Sequence, residues 1–451
     1  MRRYSCGAAI AASIIAAAQP SGAADPEIQN LMREIQVLRQ SYEGRIADLE
    51  SKLSKLEKSA PPAKTVVGPA TAGADPSSGR AVRDNSFNPS IGVVLNGRFS
   101  SYTAETPRFA GFGVGEEGER GKEGFAIDES ELNFSASVDD KFYGSVTAAI
   151  VREASEDKIE LEEAYVQTLP GLGLPTGLGV KAGRALWTFG YLNEHHTHAD
   201  DFVDRPLPYR AFLNNAFNDD GIEASWVLPT GFYSEIGGGV FRGADFPFGG
   251  ADGGRLGHWS AFARVGGDIG RDQSWRLGGY ALRGQAEGRT TNDGALTFVG
   301  DTNLYALDLR YTWAPTGNPR QQEVTLLGEY FWRSEKGTYE DTAAETGAVA
   351  FDKSSSGWFA QAVYKFHPQW RVGARYSRLD SAAVPDGLAG SALDPSGHDP
   401  HAYAVMADWT NSEFSRLRLQ YNRERLSRGE ADNQFLAQYV MSIGAHGAHK
   451  F

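Results

Sequence analysis

The densest chemistry in this chain lies in Gly190 to Asp204, GYLNEHHTHADDFVD. His195, His196, His198, Asp200, Asp201 and Asp204 put three imidazoles and three carboxylates within ten residues. Imidazole suits zinc, copper and nickel, and carboxylates complete such sites. One expectation is therefore a divalent-metal site, with zinc the candidate ion, on His195, His196, His198, Asp200 and Asp201; no resident cofactor is required. Another is an acidic loop folded into a lumen and narrowing it, its side chains solvated. A plain surface loop is the third. His446 and His449 fall at the other end of the expected topology and should not join this set.

A second constellation is basic. Arg310, Arg371, Arg375, Arg416 and Arg418 each occupy the polar phase of an alternating run, as does Asp308. Guanidinium rows contact phosphate and carboxylate in pairs and line anion-selective pores, so these six residues are the expected pore lining. Glu129, Glu131 and Glu424 share their inward parity, and residues 380–400 hold Asp380, Asp386, Asp394 and Asp399 with no Lys or Arg. A weak or cation-leaning selectivity is therefore expected ahead of a true anion preference. Acyl-transfer chemistry would need a nucleophile, a base and an orienting acid within hydrogen-bond reach. No Gly-x-Ser-x-Gly elbow occurs, and no enzymatic activity is expected.

Alternation with period two is what positions these side chains. Tyr305, Leu307, Leu309, Tyr311 and Trp313 alternate with Ala306, Asp308, Arg310 and Thr312; Leu417, Leu419 and Tyr421 alternate with Arg416, Arg418, Gln420 and Asn422. A soluble sandwich and a membrane barrel both show such a pattern. Connection lengths separate them. About sixteen strands are read between residues 91 and 445. Their connections alternate between tight turns (Asp139-Asp140, Pro229-Thr230-Gly231, His367-Pro368-Gln369, Asn411-Ser412) and long ones (104–124, 188–219, 285–301, 334–355, 380–400). Short turns on one side and long loops on the other fit an up-and-down barrel, not a Greek-key sandwich. Trp313 and Trp370 beside turns fit an interfacial girdle. The expected fold is all-β: a transmembrane antiparallel barrel over residues 84–451.

Composition agrees. The 451 residues include 53 glycines and 11% aromatics, and the formal net charge is −13. An acidic total argues against a nucleic-acid partner, which needs clustered positive charge. The single cysteine, Cys6, excludes an intrachain disulfide and thiolate zinc sites. It lies in residues 1–24, which read as a signal peptide: Arg2 and Arg3, then apolar Ala8 to Ala18, then small residues. Residues 25–58 carry a heptad seam (Ile28, Leu31, Ile35, Leu38, Tyr42, Ile46, Leu49, Leu53, Leu56) that asks for partner helices, so a short α-helical coiled coil and a homotrimer are expected. Residues 59–83, with Pro61, Pro62, Pro69 and Pro76, are a flexible linker.

The last strand alternates back from Phe451 through Ile443, Met441 and Tyr439, and resembles the signal by which Gram-negative barrels engage their assembly machinery. The whole arrangement resembles outer-membrane porins with N-terminal coiled coils, nearest the phosphate-selective porins O and P. Glu162-Glu163-Ala164-Tyr165-Val166-Gln167-Thr168 and Lys181-Ala182-Gly183-Arg184 look like that family's paired strands. The Gly190–Asp204 stretch and Gly444–His449, GAHGAH, are similar to a group of barrels often labelled zinc-regulated TonB-dependent receptors. Such receptors have about 22 strands and a lumenal plug, which the short N-terminal region here cannot supply. The resemblance implies an outer-membrane location, contact with lipid and lipopolysaccharide, a periplasmic coiled coil, and passive diffusion of small polar or charged solutes. A divalent-metal uptake barrel and a structural tether are the alternatives.

Overall fold

The computed structural model describes residues 89–444 except 106–107, 154–155 and 251–256. The signal peptide, coiled coil and linker expected before residue 84, and the terminal Phe451 with His446 and His449, lie outside the described residues. Seventeen strand segments follow in order. They are β1 (Ser90–Tyr102), β2 (Gly124–Ile127), β3 (Ser130–Ser137), β4 (Phe142–Glu153), β5 (Glu156–Thr168), β6 (Leu178–Leu186), β7 (Asn218–Val227), β8 (Tyr233–Phe241) and β9 (His258–Ile269). The second half comprises β10 (Gln273–Thr291), β11 (Leu296–Trp313), β12 (Glu323–Asp341), β13 (Val349–His367), β14 (Trp370–Asp380), β15 (His401–Ser412), β16 (Ser415–Arg425) and β17 (Asp432–Gly444). One α-helix, α1 (Leu207–Leu213), lies between β6 and β7.

Apart from β2 and β3, consecutive segments pair antiparallel, and β1 pairs with β17 from Gly92↔Gly444 to Tyr102↔Gln434, which closes the ring. Both β2 and β3 pair along β1, through Phe99↔Phe125 and Val93↔Leu132, so they are one stave broken at Asp128 and Glu129. The result is a closed sixteen-stranded antiparallel barrel. Closure leaves no sheet edge with unpaired backbone groups.

Side-chain parity is inverted relative to a soluble barrel. On β11, Leu307 is 59% exposed and its neighbour Asp308 only 1%. Leu309, Tyr330, Trp332, Tyr403, Val405, Leu417 and Tyr421 face outward in the same way. Cross-strand aromatic pairs tile this outer face: Tyr305 on Trp332 at 5.6 Å and Tyr376 on Tyr403 at 4.8 Å. Trp370 and Trp409 meet at 6.4 Å beside the short turns.

The connections 285–301 and 334–355, read from sequence as long loops, are instead continuous ladder. β10–β11 and β12–β13 run on as hairpins whose bends span only 292–295 and 342–348. What changes at their midpoint is the outer face. It is apolar through Leu307, Tyr305, Tyr330 and Trp332, and polar from the register Arg283–Asn303–Ser334–Ser354 onward. Period-two contrast fades there because the outer face becomes polar while the inner face mixes charged and apolar residues, and the hydrogen bonds continue. Between the extended hairpins and residues 381–400 sits an apolar cluster of Leu296, Phe298, Tyr339, Phe351, Leu388 and Leu393.

Candidate functional site

The site is built by the segment between β6 and β7, which enters the barrel and bridges it. Its two ends are tied by Asn193, whose amide donates to the carbonyls of Trp187 (2.7 Å) and Phe217 (2.9 Å) while its Oδ1 accepts the Phe217 N–H (2.6 Å). Gly190 has φ +75°, and a Cβ there would overlap the Glu329 carboxylate and the Tyr209 hydroxyl. Only glycine meets both demands. α1 is buried along its whole length and ends on Asn214 in the left-handed region (φ 51°). Tyr209 and Phe212 pack on Phe331 of the wall at 5.1 and 6.2 Å, and Tyr209 also meets Phe359 at 6.2 Å. Trp187, Phe189, Phe217, Phe241, Phe248 and Phe262 extend this core along the β8–β15 side. That half of the interior is dry.

Wall arginines hold the segment from one side. Arg371 donates to Asp201 (2.8 Å) and grips Asp408 of β15 (2.5 Å); Arg375 donates to the Asp204 carboxylate (2.8 Å) and carbonyl (2.6 Å). Arg418 donates to the Asp200 carbonyl (2.5 Å), and Arg416 to the His198 carbonyl. Asp308 accepts from Tyr280 and Arg276, and Arg310 lies over the Tyr191 ring at 5.3 Å. All six residues expected to line a pore thus face inward, but they anchor the segment or each other's neighbours. None borders the open space described below. Nor are the loop carboxylates solvated as one sequence reading had them. Burial opposes ionisation of Asp201 and Asp204, yet Arg371 and Arg375 outweigh it and hold both carboxyls below the usual range. Asp200, paired with Arg205 at 2.7 Å, is pushed up by its burial.

On the opposite wall the charges are reversed. His196 faces Glu162 (3.1 Å) and Glu131 (3.3 Å) with Nδ1, and Glu163 (3.1 Å) with Nε2; His198 lies 2.7 Å from Glu131. Thr197 donates to Glu129 at 2.8 Å. Glu162 and Glu163 are adjacent yet both point inward, because the β4–β5 register skips between Thr147↔Glu163 and Ala148↔Leu161 and leaves Glu162 as the extra residue of a bulge. Burial disfavours charge on His196, but Glu131 and Glu162 prevail and hold the imidazole well above its ordinary value.

The metal set expected from sequence is therefore not assembled. His195 turns away, with Nδ1 3.1 Å from the Tyr191 carbonyl and its pKa lowered by burial, and Asp200 and Asp201 belong to arginines. His196 and His198 instead meet glutamates from β3 and β5. Strand parity already placed Glu129 and Glu131 inward; Glu163 was legible only with the bulge.

A vestibule of about 1560 Å³ remains along the β1–β7 side, between this acidic cluster and residues 116–123. Carboxylates outnumber Lys and Arg about two to one in its lining. Burial there, and then the carboxylates of Glu160, Asp245 and Glu162, push Glu117 up to about 7.

Removing Arg371 and Arg375 together should free the segment. Each charged hydrogen bond is worth about 1.5–3 kcal/mol, so proteolytic nicking within 188–217 should rise at least roughly tenfold in Arg371→Ala/Arg375→Ala. The barrel's heat-modifiable gel mobility should persist. An unchanged nicking rate would deny the anchors any weight.

No family model matches the chain. Among solved structures it is similar to an anion-selective porin from Comamonas acidovorans (12% identity, 79% of this chain and 99% of that one, TM-score 0.49) and to the outer-membrane channel DcaP of Acinetobacter baumannii (10% identity, 79% and 97%, TM-score 0.49). An uncharacterized protein of Aquifex aeolicus (strain VF5) is 30% identical over 398 residues, covering 81% of this chain and 80% of the relative, and the chain belongs to the same family as that protein.

Proposed function

We propose that the protein is an outer-membrane channel through which small polar or charged solutes diffuse, with cations favoured. The observation that carries this reading is the inverted barrel: an apolar belt outside, and a charged interior with an open, acidic vestibule. From Tyr305 to Trp313 the belt spans eight residue steps, or ~27 Å along the strand at ~3.4 Å each. A tilt near 40° makes that roughly 20 Å, close to the apolar band of an outer-membrane barrel. Lipid and lipopolysaccharide are then the outer neighbours, and the strand leading to Phe451 is the handle for the assembly machinery. The short turns face the periplasm.

Because the dry core fills the β8–β15 side, solutes pass along the β1–β7 side, where carboxylates dominate. Focused negative potential concentrates cations there. In planar bilayers the purified protein should give steady conductance with a reversal potential on the cation side. That preference should strengthen as pH rises through about 7, where Glu117 acquires its charge, and Glu117→Gln should remove the step. A silent bilayer would overturn the channel and leave the tether.

Belt position can be tested separately. Leu307→Arg should cost about 2–4 kcal/mol of folding stability in lipid vesicles, and Thr338→Arg, beyond the polar register, about 0–1. Equal costs in urea titrations would refute the placement of the membrane boundary. The heptad seam of residues 25–58 supports a homotrimer. Light scattering should give three chains for the full protein and one after deletion of that segment; three in both cases would exonerate the seam.

A further inference from the structure

We infer that His196, Glu131 and Glu162 form a binding site for one divalent first-row transition-metal ion in the wall of the vestibule. The inference goes beyond the channel reading and stands without it.

Spacing is the first argument. The Nδ1 atom of His196 lies 3.1 Å from Glu162 Oε1 and 3.3 Å from Glu131 Oε1, and the three candidate ligand atoms fall within 4.8 Å of one another. Zinc bound tetrahedrally at ~2.0–2.2 Å from nitrogen and oxygen places its ligands roughly 3.3 Å apart. Two edges of this triangle already match that spacing, and the third, no longer than 4.8 Å, is short enough for a side-chain adjustment to close.

Outer support is the second. The other ring nitrogen, Nε2, faces Glu163 Oε2 at 3.1 Å. A ligating histidine characteristically donates its second N–H to a carboxylate, which fixes the tautomer and the ring plane. Glu131 is likewise steadied by His198 Nδ1 at 2.7 Å.

Unmet charge is the third. Glu131 is 1% exposed, and neither its Oε2 nor that of Glu162 receives a hydrogen bond. Glu129 lies within hydrogen-bond reach of Glu162, and two carboxylates so close require a shared proton or a cation. Four glutamates surround two imidazoles here, and on Glu163 His196 acts first and Lys181 after it. A divalent ion that replaces the Nδ1 proton of His196 adds a further positive charge to this carboxylate-rich cluster. Access is direct, since Glu129, Glu162, His196 and Thr197 all border the vestibule.

The test uses the full chain in detergent, stripped with EDTA and titrated with zinc at pH 7 by calorimetry, with cobalt absorption as a second readout. Wild type should bind about one ion per chain and give the visible bands of four- or five-coordinate cobalt. The isosteric Glu131→Gln and Glu162→Gln should lose binding without unfolding, as judged by gel mobility. Glu163→Gln should weaken it about 10–100-fold. His401→Ala, on a histidine remote from the site, should bind as wild type. Failure of the wild type to take up zinc, or Glu131→Gln and Glu162→Gln proteins that bind it undiminished, would overturn the site. Conductance in the same preparation reports on the channel independently: zinc binding with a silent bilayer sinks only the channel, and conductance without zinc binding sinks only the metal.

Discussion

Arg371 sits between Asp201 of the inserted segment and Asp408 of the wall, and the interior depends on that bridge. An inverted barrel puts most of its apolar residues outside, so along the β1–β7 side little that is hydrophobic in its own wall pulls a loop inward. The segment is drawn in by charge on both sides: aspartates and carbonyls toward Arg371, Arg375, Arg416 and Arg418, and imidazoles toward Glu131, Glu162 and Glu163. Where the wall is apolar inward, at Phe331 and Phe359, α1 supplies the matching face. Removing a carboxylate from water is costly unless it is paired and hydrogen-bonded. The Asp204 carboxylate meets this demand three times over, from Arg375, Gln420 and Asn422, and Arg375 also holds its backbone carbonyl.

Much of the wall was legible in the sequence because period-two alternation is strong where lipid-like and aqueous surroundings lie on opposite faces. Leu307 and Asp308 announce their directions by type alone. Alternation weakens beyond Asn303 and Ser334, where the outer face is polar and the inner face mixes Glu335 and Asp341 with Phe298 and Tyr339, so the ladder from there to the bends at 292–295 and 342–348 reads as loop. Hydrogen bonding does not need contrast between faces; sequence reading does.

The site was less legible, for a different reason. Adjacency in a loop says little about direction when the backbone turns tightly. The 3₁₀ turns Leu192–Glu194 and Thr197–Ala199 send His195 back onto Tyr191 and His196 onto the wall glutamates. The true neighbours of His196 lie on strands some 30 to 65 residues upstream. Glu162 and Glu163 drew notice only as part of a porin-like stretch, and their shared direction needs the bulge opposite Thr147 and Ala148. The inward arginines were found by parity, but parity cannot tell a residue that meets water from one that meets an inserted loop.

These contacts also decide whether the segment can move. Displacing the segment would break the pairs at Arg371 and Arg375, the carbonyl contacts of Arg416 and Arg418 and the docking of Phe212 at once. Charged hydrogen bonds contribute about 1.5–3 kcal/mol each and a buried phenylalanine about 3–5. Even half their sum, allowing for non-additivity, is many times thermal energy. The segment is therefore held in place, and the open space lies beside it, along the acidic half of the lumen. The charge facing that space is set by Glu117 and by the glutamates around His196, not by the arginines that the alternating strands display so plainly.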